Sequence, residues 1–126
     1  MVTTSEDPCR IYKNRGTYLG TWNVRTLCNG GALEILSEKL NISPLDIVAL
    51  QEVRWPEEGS QKSGNFTLFY GGAETAHLGT GFLFRNRILS AVEDIRFVSD
   101  RISYAILNGR RYDLIIINVH SPTEDK

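Results

Sequence analysis

Cysteine is scarce, net charge is nearly absent, and no long apolar run interrupts the 126 residues. The two cysteines, Cys9 and Cys28, lie in polar, turn-like stretches with no CxxC pair and no histidine at metal-ligand spacing. That excludes a disulfide framework or a zinc ribbon and leaves two free thiols, without disulfide partners, in a reducing intracellular compartment. The longest unbroken aliphatic stretch, Leu114 to Ile117, falls far short of the roughly 18 residues a membrane helix needs. The N-terminal sixteen residues are polar and lack an apolar h-region, so no secretory signal is expected. Without one, the glycosylation pattern at Asn65-Phe66-Thr67 carries no weight. A formal charge of −1 excludes binding to nucleic acid by bulk phosphate neutralisation. Contact with a phosphate backbone would have to be local, through arginines such as Arg25, Arg54, Arg85 and Arg101. No basic cluster reads as a nuclear signal, and no internal repeat or low-complexity tract occurs.

What is present is the composition of an ordinary globular protein, 41% apolar and 23% charged. Residues 1–15 mix charge, Thr and Pro without periodicity and read as a flexible lead-in. Residues 17–24 are aromatic and β-prone, which predicts a strand. A turn cluster, Cys28-Asn29-Gly30-Gly31, precedes Ala32, Leu33, Ile35, Leu36 and Leu40 at helical spacing, with Glu34, Glu38 and Lys39 on the outer face. Asn41-Ile42-Ser43-Pro44 should end that helix. Asp46-Ile47-Val48-Ala49-Leu50-Gln51 then reads as a strand buried on both faces. Strand, helix and buried strand make a βαβ unit with two parallel strands and a right-handed crossover. Further on, residues 66–70 and 81–84 predict short strands, flanking a Gly-rich loop that holds His77. Residues 88–98 predict a longer strand. Asn108-Gly109, between residues 102–107 and 110–119, predicts a hairpin closed by a type I′ turn. The whole is a mixed α/β sheet.

The C-terminal stretch adds an expectation of incompleteness. Ser121-Pro122-Thr123-Glu124 has the form of a capping box with proline at the first helical position, and only two residues follow. The strand Leu114-Ile115-Ile116-Ile117-Asn118-Val119 points apolar side chains to both faces. One helix can cover part of one sheet face, and nothing else in the sequence looks able to cover the other. These features predict a domain that is truncated here.

Parallel strands end on the same rim, where ligands of open α/β sheets bind. Asn23 and Glu52 follow the two strands of the βαβ unit and should lie side by side. A carboxylate beside a neutral amide suits a hard cation such as Mg²⁺, which takes few protein carboxylates and leaves positions for water and phosphate. By themselves one Asn and one Glu are equally at home as a turn residue and a solvated strand end.

The segments LGTWNVRT (residues 19–26) and DIVALQEVRW (residues 46–55), with the helix between them, resemble the opening of the endonuclease/exonuclease/phosphatase superfamily. GTGF (79–82), SDRI (99–102) and INVHSPT (117–123) continue the likeness, which covers residues 17 to 126. Within it, endonucleases of non-LTR retrotransposons and proteins like craniofacial development protein 2 are the most similar groups. The resemblance implies the amino-terminal half of a four-layer α/β/β/α sandwich, with residues 16–126 a partial domain. It implies Glu52 as a metal-ligating glutamate for Mg²⁺, or alternatively Mn²⁺, and Asn23 as a second metal residue, ordering the metal shell or phosphate. His120 takes the place of a tyrosine that contacts the scissile phosphate in many relatives; imidazole can also donate a hydrogen bond, but its charge varies near neutral pH. Asp100 and Arg101 match a family motif and fit loop structure better than chemistry. The family's later Gly-Asp-x-Asn and Ser-Asp-His segments, which supply the water-activating aspartate and the phosphate-engaging histidine, do not occur in this sequence, and His77 matches neither.

The implied function is Mg²⁺-dependent hydrolysis of phosphodiester bonds in DNA by the intact protein. In a retroelement a reverse-transcriptase domain would follow, and the location would be nuclear. The chain by itself is expected to be silent. A phosphatase of the same fold, or a domesticated, non-catalytic interaction protein, are the alternatives.

Overall fold

A computed structural model describes residues 10–14, 16–25, 27, 31–72 and 78–121. Its framework is the predicted βαβ unit. Strands β1 (Arg10–Asn14) and β2 (Thr17–Asn23), helix α1 (Ala32–Asn41) and strand β3 (Ile47–Gln51) come first. β4 (Gly59–Ser63), β5 (Phe66–Gly71) and β6 (Thr80–Arg85) complete a six-stranded sheet in the order β1-β2-β3-β6-β5-β4. A 3₁₀ turn (Asn86–Ala91) leads to β7 (Val92–Phe97), β8 (Ile102–Leu107) and β9 (Leu114–Val119), which form a second, antiparallel sheet. As expected, β2 and β3 are parallel, with Asn23 opposite Gln51 at their shared end.

Every residue of β3 is buried, and its alternation feeds two cores. Val48 and Leu50 face α1, where Leu33, Leu36, Leu40, Leu45 and Leu83 pack with them. Ile47 and Ala49 face the second sheet, among Phe82, Phe84, Ala105 and Leu107. Burying side chains of this kind stabilises by about 1.5–3 kcal/mol each, so a strand used on both faces contributes to two cores at once.

Several expectations are corrected. The far face of the main sheet is covered after all: β7, β8 and β9 lie on it, with Ile95, Leu114 and Ile116 packed inward. The layers are helix, sheet and sheet, and the bare apolar surface moves outward. On the outer face of the second sheet the register aligns Ile102 with Val119, Tyr104 with Ile117 and Ile106 with Ile115. Ile115, Ile117 and Val119 are 59%, 66% and 53% exposed, so β9 is two-faced as its sequence indicated. Residues 10–14 pair with β2 instead of belonging to a lead-in, and β4 was not anticipated, being a polar edge strand of sequence GSQKS. Ile35 faces solvent and Ser37 takes the buried position on α1. The long strand expected over residues 88–98 begins with the 3₁₀ turn, because the chain must climb from the first sheet to the second.

The β8–β9 hairpin is real, but its connection spans residues 108–113, and neither Asn108 nor Gly109 has positive φ. The Asn108 amide is engaged elsewhere, donating to the Ala91 carbonyl at 2.7 Å. Glycine serves close approach instead: a Cβ on Gly109 would lie 2.0 Å from the Tyr112 carbonyl oxygen. Cys9, Cys28, His77 and the capping-box residues 122–124 lie outside the described residues. Gly109→Ala should therefore destabilise the chain by about 1–3 kcal/mol, the usual cost of overpacking. An unchanged urea midpoint for this variant would contradict the tight turn.

Candidate active site

The rim where β2 and β3 end is shaped by backbone conformation as much as by side chains. Arg25, Glu52 and Arg54 adopt left-handed φ values of 54°, 58° and 63°. Non-glycine residues seldom occupy this region, and those that do concentrate at functional sites. The turn at Glu52 breaks the β3 ladder and lets the next two amides reach across to the other loop: Val53 N donates to Gly79 O (3.2 Å) and Arg54 N to Leu78 O (3.0 Å). On the other side, Leu27 N donates to Val53 O at 3.1 Å. Glu52 is thus fixed by its neighbours' hydrogen bonds.

Three side chains converge on the Glu52 carboxylate. Asn23 Nδ2 donates to Oε2 at 2.8 Å, Arg54 Nη2 meets Oε1 at 2.7 Å, and His120 Nε2 lies 3.1 Å from Oε2. Asn23, Glu52 and His120 were the sequence candidates, and the structure brings all three together. The carboxylate and the imidazole are 14% and 12% exposed, shielded enough for these contacts to be stronger than at an open surface. Chiefly the Asn23 hydrogen bond, and then Arg54 and His120, hold the Glu52 carboxyl below the ordinary glutamate range, against a smaller opposing effect of burial. Asn23 was also expected as a metal ligand. Its amide oxygen instead accepts the Arg25 backbone N–H (3.1 Å), which turns the nitrogen toward Glu52. An amide nitrogen has no lone pair for a cation, so through that atom Asn23 orients the carboxylate, and its oxygen keeps one lone pair beyond the Arg25 bond.

His120 arrives from the other sheet. Its backbone N donates to Arg101 O (2.8 Å), and the Arg101 guanidinium donates to His120 O (3.3 Å). Asp100 O accepts the Gly79 amide at 3.0 Å. The SDRI segment is thus a clamp on the loop ends, consistent with the structural role expected of it. Arg54 and Arg101 are both committed inside the site. Arg85 lies at the opposite rim, contrary to the expectation of a phosphate contact. It stacks 4.5 Å from the Phe66 ring and donates to the carbonyls of Leu40, Ser43 and Leu45, closing the C-terminal end of α1.

Sequence reasoning missed two residues beneath this cluster. Gln51 and Asn118 are buried and bonded to each other, Gln51 Nε2 to Asn118 Oδ1 at 2.8 Å. Gln51 also reaches Thr21 Oγ1 (3.0 Å), while Asn118 Nδ2 donates to Leu50 O (3.0 Å) and Gly81 O (3.1 Å). A signal was available. In β9, Asn118 shares the alternation of Leu114 and Ile116, and a polar residue on a buried face needs a partner.

Among the described residues no group of three or more His, Cys, Asp or Glu could by itself hold a metal. The donor set fits Mg²⁺ in the narrower sense that such sites often use one or two carboxylates, with water and phosphate completing the shell. Glu52 Oε1 accepts one hydrogen bond from Arg54 and retains lone-pair capacity.

Residues 20–125 match the endonuclease/exonuclease/phosphatase family, and the chain belongs to it. Craniofacial development protein 2 from Bos taurus is 26% identical over 124 residues, which is 97% of this chain and 21% of that protein. The protein of the same name from Tragulus javanicus matches to the same extent, so the chain spans about a fifth of the length of these relatives. Among solved structures, the 3′ phosphatase NExo from Neisseria, bound to a product DNA hairpin, superposes with a TM-score of 0.57. At 22% identity, over 81% of this chain and 40% of that one, the likeness is one of fold.

A carboxylate held ionised by its neighbours stabilises the fold above its unfolded pKa, and that stabilisation is lost as pH falls through the folded value. Since Glu52 is shifted downward from 4.5, the acid limb of wild-type stability should contain a component that Glu52→Gln lacks. Urea unfolding across that limb should show the two proteins' stabilities converging as pH falls. A constant difference would contradict the assignment.

Proposed function

We propose that this chain supplies one part of the active site of a metal-dependent phosphodiesterase whose substrate is DNA. The observation that carries the reading is the convergence of Asn23, Arg54 and His120 on Glu52, at the shared end of two parallel strands. Glu52 would hold Mg²⁺ (or Mn²⁺), with Asn23 and Arg54 fixing the carboxylate. When bound, the cation polarises the phosphoryl oxygens and offsets the negative charge that develops on them. His120 keeps its Nε2 hydrogen on Glu52 and has a phosphate oxygen as its alternative acceptor. In the reaction a water oxygen bonds to phosphorus in line as the opposite P–O ester bond breaks, and the departing oxygen takes up a proton.

The resemblance to retroelement endonucleases supports DNA as substrate, a nuclear location and a reverse-transcriptase domain elsewhere in the intact protein. The DNA hairpin bound by the structural neighbour supports the substrate class without separating nuclease from phosphatase. Alignment of the water and general-base assistance need groups that Glu52, Asn23 and His120 do not supply. The chain alone therefore binds the cation and does not turn over. The exposed apolar face of Ile115, Ile117 and Val119 supports the second reading, a non-catalytic protein that works through an interface.

Titration with Mn²⁺, followed by calorimetry or by the electron paramagnetic signal of the free ion, tests the metal half of the reading. Glu52→Ala should weaken binding at least tenfold, and failure of the unmutated chain to bind Mn²⁺ would refute it. Incubated with supercoiled DNA and Mg²⁺, the purified chain should leave the DNA uncut. Nicking that disappears in Glu52→Ala would overturn the claim of silence.

A further inference from the structure

The two halves of the site stand on different sheets. Asn23 ends β2 and Glu52 and Arg54 follow β3 in the first, whereas His120 follows β9 of the second. Nothing in the chain order places Glu52 and His120 together; they stand 68 positions apart. Packing between the two sheets is largely aliphatic and aromatic, and such contacts set a spacing without setting a lateral position. Yet Nε2 of His120 must sit within about 3 Å of one carboxylate oxygen to hydrogen-bond it at all.

We infer that Asn118 is the positioning residue that sets His120 against Glu52. Its carboxamide makes three directional hydrogen bonds into the first sheet: it accepts from Gln51 Nε2 and donates to the carbonyls of Leu50 and Gly81. Those partners lie on β3 and β6, so one side chain of β9 is referenced to two adjacent strands of the opposite sheet. Gln51 immediately precedes Glu52, and Asn118 stands two residues before His120. The clasp thus ties the two strands within two residues of the ionised cluster, alongside the backbone route from Val53 through Gly79 and Asp100 to the Arg101–His120 bond.

At 2% exposure, Asn118 has its carboxamide oxygen and nitrogen engaged by these bonds. A β9 displaced by one residue would present Ile117 or Val119 to the same carbonyls and carry His120 away from the rim. Thr80 Oγ1 and Ser103 Oγ, 2.7 Å apart, make a second link between the sheets, on β6 and β8. The β8–β9 ladder carries that link to β9, and Asn118 adds the direct contact between β9 and the first sheet beside the site.

The assignment rests on the reading of Glu52 and His120 as one site, and two readouts keep the two claims apart. In the unmutated 126-residue chain, a nuclear Overhauser cross-peak should join the Asn23 carboxamide protons to the His120 ring, since both nitrogens contact Glu52 Oε2. Asn118→Leu keeps the branched shape and the number of side-chain heavy atoms, and removes all three hydrogen bonds. It should retain a dispersed amide spectrum, lose the cross-peak, and bind Mn²⁺ about ten- to a hundredfold more weakly, as when an outer group that orients a ligand is removed.

If this variant does not fold, the paired substitution Gln51→Leu/Asn118→Leu carries the test, because replacing both amides removes the orphaned donor on Gln51. A merely structural Asn118 predicts that restored folding restores the cross-peak; a positioning Asn118 predicts that it does not. A folded leucine variant with the cross-peak intact would overturn the inference. Absence of Mn²⁺ binding by the unmutated chain, with the cross-peak present there and lost in Asn118→Leu, would refute the metal reading and leave the positioning role standing.

Discussion

The double burial of β3 is the constraint from which the rest follows. Five residues buried on both faces require a helix on one side and a second sheet on the other. The parallel pairing with β2 brings Asn23 beside the end of this strand. The antiparallel pairing with β6 brings Gly79 and Leu78 to the other side, where they accept the amides that follow Glu52. The carboxylate sits at the one point where all these requirements terminate. Its chemistry depends on the layers beneath it more than on any single contact.

At the rim, few groups serve several purposes. The Arg25 amide sets the orientation of Asn23, and Asn23 in turn is the largest influence holding Glu52 ionised. Arg101 holds His120 by its backbone from two directions. Arg54 meets the same carboxylate, so its charge is offset within the site and contributes little to attracting a phosphate backbone at long range. This accords with a chain whose formal net charge is −1. On the proposed reading, recognition of DNA rests on short-range geometry, and salt should weaken it less steeply than it weakens a basic binder.

Much of this was legible in the sequence because it was written locally. The helical spacing of Leu33, Leu36 and Leu40, the unbroken apolar run of β3 and the parallel crossover each follow from a few adjacent residues. Asn23 and Glu52 were placed together by that topology alone. What escaped was non-local or had competing local signals. Ile35 has the hydrophobicity of a core residue, but the 100° advance of the helix gives the inner position to Ser37. Asn108-Gly109 carries a strong turn signal, yet the tertiary bond from Asn108 to Ala91 outweighs it. The second sheet was missed as a cover because its inner face is small and mixed: Ser103, Ala105 and Leu107 do not look like a core from sequence. The Gln51–Asn118 pair joins residues 67 apart, and only the polar break in the alternation of β9 hinted at it.

The left-handed conformation of Glu52 couples the chemistry of the site to the backbone that carries it. Glutamate at φ 58° carries a backbone cost of about 1–2 kcal/mol that glycine would not. Most loss-of-function changes trade away chemistry and gain nothing in return. At this position a mutation to glycine, one nucleotide from either glutamate codon, erases the carboxylate and relaxes the chain. That relief is offset by the loss of the contacts from Asn23, Arg54 and His120, so the three side chains that meet the carboxylate also hold its backbone in a conformation glutamate seldom adopts.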